Sequence, residues 1–203
     1  VTNGGSNTVS VINTVTNTVT ATVKVGFIPL DVVFTPNGTQ AYVVNTVSSS
    51  VSVINTATSA VTATVKVGLG PINIAVTPDG TQAYVANAAA KTVSVINTTT
   101  NKVLSTLKVG ADPVSIAITP NGATAYVANA GAKTVSAINT ATQSVVATIA
   151  VGADPVDVSI TPDGTQSYVT NAGSDTVSVI NTNTNAVTTT VTVGSNPVSA
   201  TAF

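Results

Sequence analysis

The chain has 203 residues and a formal net charge of −1, from six Lys, seven Asp and neither Arg nor Glu, and it holds no His, Cys, Met or Trp. Without His there is no Ser-His-Asp triad and no imidazole metal ligand; without Cys there is no thiolate nucleophile, disulfide or zinc knuckle. Six scattered Lys make no dense basic surface for phosphate, so nucleic acid is not an expected partner, and no apolar run reaches transmembrane length, so no membrane insertion is expected.

Thr and Val occur 38 times each. Both lose χ1 freedom in a helix and pack well on a pleated surface, so strands are expected throughout. The chain enters on Val1-Thr2-Asn3, the end of a strand. From there a period of 42 residues governs everything: the Asn of Val/Ala-Ile-Asn-Thr falls at Asn13, Asn55, Asn97, Asn139 and Asn181. Val-Gly at Val25-Gly26, Pro29, the Thr-Pro-Asn/Asp-Gly turn from Thr35 and Tyr42 recur at the same step. Five full repeats would need seven residues more than the chain has, the stretch equivalent to Pro162–Tyr168.

The fifth repeat shows the unit. Val156–Thr161 alternates as strand A, and Pro162-Asp163-Gly164 is a turn, Pro presetting φ and Gly accepting positive φ. Ser167–Asn171 is strand B, Ala172–Asp175 a loop, Thr176–Asn181 strand C, and Ala186–Val193 strand D after a polar turn. Four short strands per 42 residues is the size of a propeller blade. A flat array would leave long Val-rich edges unpaired.

Tyr168-Val169-Thr170-Asn171 resembles the signature of the YVTN β-propeller repeat family. Tyr42-Val43-Val44-Asn45, Tyr84-Val85-Ala86-Asn87 and Tyr126-Val127-Ala128-Asn129 each depart at one position. The Pro-Asp-Gly-Thr turn and the Thr-Val-Ser-Val-Ile-Asn strand extend the likeness along the whole chain. The resemblance implies a propeller of the kind found in secreted or cell-surface proteins, including surface-layer-type proteins, and implies no single activity. Family propellers are often seven-bladed; this chain has five repeats.

The expected fold is therefore all-β: one five-bladed propeller domain over 1–203, four antiparallel strands per blade, repeats joined near 24/25, 66/67, 108/109, 150/151 and 192/193. Strand A at Val198–Phe203 is expected to pair with the N-terminal strands and close the ring, with exchange between chains as the alternative. Closed five-fold rings step by about 72°, which suits the small residues Ala75, Ala117, Ser159 and Thr201 near the axis.

Two columns could carry chemistry. Asp31, Asn73, Ser115, Asp157 and Ser199 would lie at one height near the axis, either as oxygen ligands for a cation or water, or as hydrated polar filling. Asp112 and Asp154 precede the Pro in the D–A connections, on the face that also carries the B–C loops with Lys91, Lys133 and Asp175. That face is the default ligand face, and Asp31, Asn73, Asp112, Asp154, Asp157 and Asp175 are its candidate binding residues. The Asn13 and Asn3 columns are both expected to make Asx turns, the Tyr column to pack between blades, and Lys24, Lys66 and Lys108 to protect outer edges. No catalytic residue, metal or cofactor is implied. The expectation is a non-enzymatic extracellular structural or adhesive module, a processed or excised segment, whose partners are copies of itself or other cell-surface proteins. A glycan- or small-ligand-binding propeller is the alternative, and a hydrolase or lyase the third reading.

Overall fold

The computed structural model describes residues 1–201. It is all-β, with 19 strands in five antiparallel sheets. Blade 1 has β1 (Thr2–Asn3), β2 (Thr8–Asn13) and β3 (Thr18–Lys24). Blade 2 has β4 (Pro29–Phe34), β5 (Gln40–Asn45), β6 (Ser50–Asn55) and β7 (Ala60–Lys66). Blade 3 has β8 (Pro71–Val76), β9 (Gln82–Asn87), β10 (Thr92–Asn97) and β11 (Lys102–Lys108). Blade 4 has β12 (Pro113–Ile118), β13 (Thr124–Asn129), β14 (Thr134–Asn139) and β15 (Ser144–Ala150). Blade 5 has β16 (Pro155–Ile160), β17 (Gln166–Asn171), β18 (Thr176–Asn181) and β19 (Ala186–Thr192). Each sheet runs in sequence order from inner to outer strand.

The second strand of blades 2 to 4 is buried almost from end to end, because another blade covers each of its faces. Among the described residues four apolar cores join the five blades. One, for example, unites Tyr42, Val51 and Val53 of blade 2 with Ile74, Ala83 and Ile96 of blade 3. The tyrosines pin these contacts, as expected. The Tyr42 hydroxyl donates to Thr98 O (3.2 Å) and Asn101 Oδ1 (2.7 Å), and that of Tyr126 to Thr182 O (3.2 Å) and Asn185 Oδ1 (2.6 Å).

The two ends differ. Tyr168 is half-buried, whereas Tyr42, Tyr84 and Tyr126 are fully buried, and Ile12 is 45% exposed against 0–3% for its four counterparts. The expected closure through Val198–Phe203 is not carried by the described residues. The first sheet has three strands, β1 pairs with β2, and 197–201 carry no strand. The Ala200 N–H donates to Asp157 on blade 5, as each inner strand does to the blade before it, so this segment keeps the inner-strand bond to blade 5 while β1 pairs only with β2 among the described residues. Ala202 and Phe203 lie outside the described residues.

The two Asn columns divide. Asn13, Asn55, Asn97, Asn139 and Asn181 accept backbone N–H groups two or three residues on, as Asx turns do. The Asn3 column does not make the expected Asx turn. Asn45, Asn87, Asn129 and Asn171 are fully buried and donate across the sheet to the next strand, as from Asn87 Nδ2 to Thr92 Oγ1 (3.2 Å) and Ser94 Oγ (3.0 Å). The Val-Gly column follows from this. A Cβ on Gly68 would stand 2.8 Å from Asn87 Cγ, so glycine is required where the chain crosses the buried amide.

Candidate functional site

Each inner strand opens on a proline and a bulge, between Pro29 and Asp31 in blade 2 and at the equivalent place in blades 3 to 5. A proline lacking an N–H suits a strand start, and a bulge re-aims the side chain that follows it. Here that side chain reaches the next blade. Asp31 Oδ2 accepts from Ile74 N (3.0 Å), Asn73 Oδ1 from Ile116 N (2.8 Å), Ser115 Oγ from Val158 N (3.4 Å) and Asp157 Oδ2 from Ala200 N (3.3 Å). Side chains reinforce the seam: Asn73 Nδ2 donates to Asp31 Oδ2 (2.8 Å), and Ser115 and Ser199 donate to Asp157 (3.1 and 2.9 Å).

The belt therefore brings Asp31 to Asn73, and Asp157 to Ser115 and Ser199. Both carboxylates are committed to neighbouring blades; Asp31 Oδ1 also accepts from Val32 N (2.8 Å). Charge-assisted bonds of this kind outlast neutral ones in strength. Among the described residues no three acidic groups stand together to hold a metal ion.

The other three candidates owe their places to backbone geometry. Asp112, Asp154 and Asp175 all have positive φ, at 55°, 51° and 54°. The left-handed region favours Gly, Asn and Asp, and the equivalent positions of Asp154 are Gly70, Asp112 and Asn196. The exception is Ile28, a β-branched residue at φ 52°. Asp175 Oδ1 accepts from Asn196 N (2.8 Å), as Asn7 Oδ1 does from Ile28 N (2.9 Å), which ties the B–C loop to the D–A connection. Asp112 and Asp154 are exposed on this face, anchored through their carbonyls to Ala130 N and Ala172 N (both 2.9 Å).

Two carboxylates on the opposite face stand outside the candidates above. Asp79 accepts from the hydroxyls of Thr77 (2.5 Å) and Thr81 (3.0 Å), and Asp163 likewise from Thr161 (2.5 Å) and Thr165 (2.9 Å). These bonds, those to Thr77 and Thr161 foremost, hold both carboxyls below the usual carboxylate range. The signal was the Thr two residues to either side of Asp in Thr-Pro-Asp-Gly-Thr. Between the blades, burial pushes the Tyr42 and Tyr84 hydroxyls up to about 12 and raises that of Tyr126.

Residues 54–201 match the family described as "Lactonase, 7-bladed beta-propeller". The chain belongs to this lactonase propeller family. The lactonase-family chain is also similar to the Kuenenia stuttgartiensis hydrazine synthase, at 31% identity and a TM-score of 0.77 over 81% of this chain and 49% of that one. A functionally unknown protein from Desulfotomaculum acetoxidans DSM 771 shares the fold at 21% identity and a TM-score of 0.86, over 98% of this chain and 66% of that one. The chain thus spans about half to two thirds of the length of these structures. No curated protein matches.

The expectation of a non-enzymatic module is overturned. The family and the hydrazine synthase neighbour are enzyme-related. Equal repeats and missing His, Glu and Cys describe how this lactonase-family chain is built, and a propeller enzyme concentrates its chemistry on few loops. The likeness to propellers holds, while the surface-layer assignment finds no support in these matches.

Proposed function

We propose that this chain is the blade scaffold of a lactonase-type hydrolase, and that the face made by the D–A connections and B–C loops receives a small cyclic ester. The observation that carries this reading is the family match over residues 54–201. Asp31 and Asp157 serve position, since neighbouring blades occupy them. Asp112 and Asp154, exposed at the same point of successive blades, are the groups that act. A carboxylate takes a proton from water as the water oxygen adds to the ester carbonyl; the ring C–O bond then breaks and the leaving alkoxide is protonated, giving a hydroxy acid. The sparsely charged surface rich in Thr and Asn, with the Tyr168–Asn171 motif, supports a site of action outside the cell.

The test is a pH-stat assay on γ- and δ-lactones, sugar lactones included. Saturable turnover is expected, at least ~10-fold lower in Asp112→Asn/Asp154→Asn and unchanged in Asp163→Asn on the opposite face. Turnover equal to spontaneous hydrolysis, or untouched by the double substitution, overturns the reading.

A further inference from the structure

An open groove runs along the seam between blades 1 and 2, with Lys24 at the end of β3 on one bank and Lys66 at the end of β7 on the other. Strand register explains what lies between them. In blade 2, Ser50 pairs with Lys66 and Ser52 with Thr64, and alternate residues of a strand share a face. That face meets blade 1, because Val43, opposite Ser52, belongs to the core shared with Val9 and Val23. Ser48, on the B–C loop, completes the polar lining. The described residues of the groove thus present two ammonium groups and four hydroxyls, and no carboxylate.

The hydroxyls are set up as donors. Ser50 and Ser52 are 5% and 2% exposed, and both Oγ atoms accept from Asn45 Nδ2 (3.3 and 2.9 Å). Ser48 Oγ accepts from Phe27 N (2.7 Å). Each oxygen has its incoming bond, and among the described residues none of the three passes its own hydrogen to a protein acceptor. A hydroxyl carries one donor, and leaving a buried donor unused is unfavourable. The repeat also sets this seam apart. The position of Ser50 is Thr in the other four blades (Thr8, Thr92, Thr134 and Thr176), so blade 2 alone lacks that methyl group. Lys also stands on both banks between blades 2 and 3, at Lys66 and Lys108, but there Ala90 and Thr92 take the places of Ser48 and Ser50.

We propose that this groove binds a doubly charged tetrahedral oxyanion: free phosphate or sulfate, or the phosphate end of a monoester. Two ammonium charges balance two negative ones, and hydrogen bonds between ionised partners are the strong ones. A fully ionised oxyanion only accepts, which is what a lining of donors calls for. A carboxylate has one charge and two oxygens, so it would leave one ammonium unbalanced and hydroxyls unused. The proposal stands apart from the hydrolase reading, since the groove lies at the outer strands and uses none of its carboxylates.

The experiment is a nitrogen-resolved NMR titration of the full chain with sodium phosphate, sodium sulfate and phenyl phosphate. It is run at pH ~7.5, where phosphate is dianionic, with chloride holding the ionic strength constant. One saturable site per chain is expected, with the largest shifts at the backbone amides of Gly26, Ser50 and Ser52. Lys24→Gln/Lys66→Gln is expected to weaken binding at least ~10-fold. Ser50→Thr installs the residue of the other four blades, so the fold is kept, and its methyl group is expected to weaken binding several-fold. Tighter binding of phenyl phosphate than of either inorganic ion supports the monoester form, and equal binding of all three supports the free ion. Shifts that grow with added salt without saturating, or an affinity untouched by the lysine pair, overturn the proposal. An affinity lost with the lysines but unmoved by Ser50→Thr also overturns it, because the anion then answers to diffuse surface charge and not to the groove.

Discussion

Replacing Gly68 by Ala tests whether the glycine column exists to clear a buried amide. The added Cβ would meet Asn87 Cγ and Nδ2 at 2.8 Å and Asn87 Cβ at 2.9 Å, closer than such atoms approach. Asn87 is fully buried and held by Thr92 and Ser94, so it cannot swing aside without losing both bonds. Overpacking costs about 1–3 kcal/mol, and each lost bond about 1 kcal/mol. The sum, about 3–5 kcal/mol, lowers the melting temperature by on the order of 10 °C for a chain of this size. Gly194 occupies the same column in the last repeat, but its added Cβ would meet nothing within 4 Å, so Gly194→Ala is expected within about 0.5 kcal/mol of the parent. Urea unfolding of both variants, of Asn87→Ala and of Gly68→Ala/Asn87→Ala makes the cycle complete; the double variant should recover the overpacking part. Equal midpoints for Gly68→Ala and Gly194→Ala would refute the steric account.

Tyr42→Phe should cost about 0.5–1.5 kcal/mol by thermal unfolding, for the lost bonds to Asn101 and Thr98, while Tyr168→Phe, whose hydroxyl reaches Gln166 of its own blade, should cost less. Alkaline stability should fall from near pH 10. The folded values of Tyr42 and Tyr84 are about 12, so the unfolded chain ionises first, and the stabilisation present below pH ~10 is lost as pH rises through the folded values. Ultraviolet titration of tyrosinate should show at least two late groups, and a single transition near pH 10 would contradict this. In acid the sign reverses: Asp79 lies below its unfolded value, so its contribution is present above pH ~4 and disappears as pH falls further. Asp79→Asn should flatten that part of the acid unfolding curve.

The blades were legible because a strict period needs no geometry to see. Tyr42 and its copies could be placed between blades from size and spacing alone. The Asn45 column could not be separated from the Asn13 column, since both end a strand. What divides them is cross-strand register: Asn45 lies opposite Ser50, and its amide also reaches Ser52. Asp157 was visible as part of a polar column, but its reach into the next blade depends on the bulge after Pro155, which leaves no mark in residue type. Closure was not legible for a related reason. A count of repeats says how many blades there are and nothing about how the last segment seats, and among the described residues 197–201 carry no strand and four cores join five blades.

The belt around the inner strands accepts aspartate, asparagine and serine alike, because all it demands is an oxygen facing the following blade's amide. Its charge can therefore fall without loss of that amide bond. A lineage carrying this repeat could drift from two negative groups at that height to none and keep the same spine, whereas a carboxylate at every position would remove the Asn73 and Ser115 donors and set like charges side by side. The electrostatic potential at that height is thus free to be weakened, and bounded in how negative it becomes, by the way the blades hold one another.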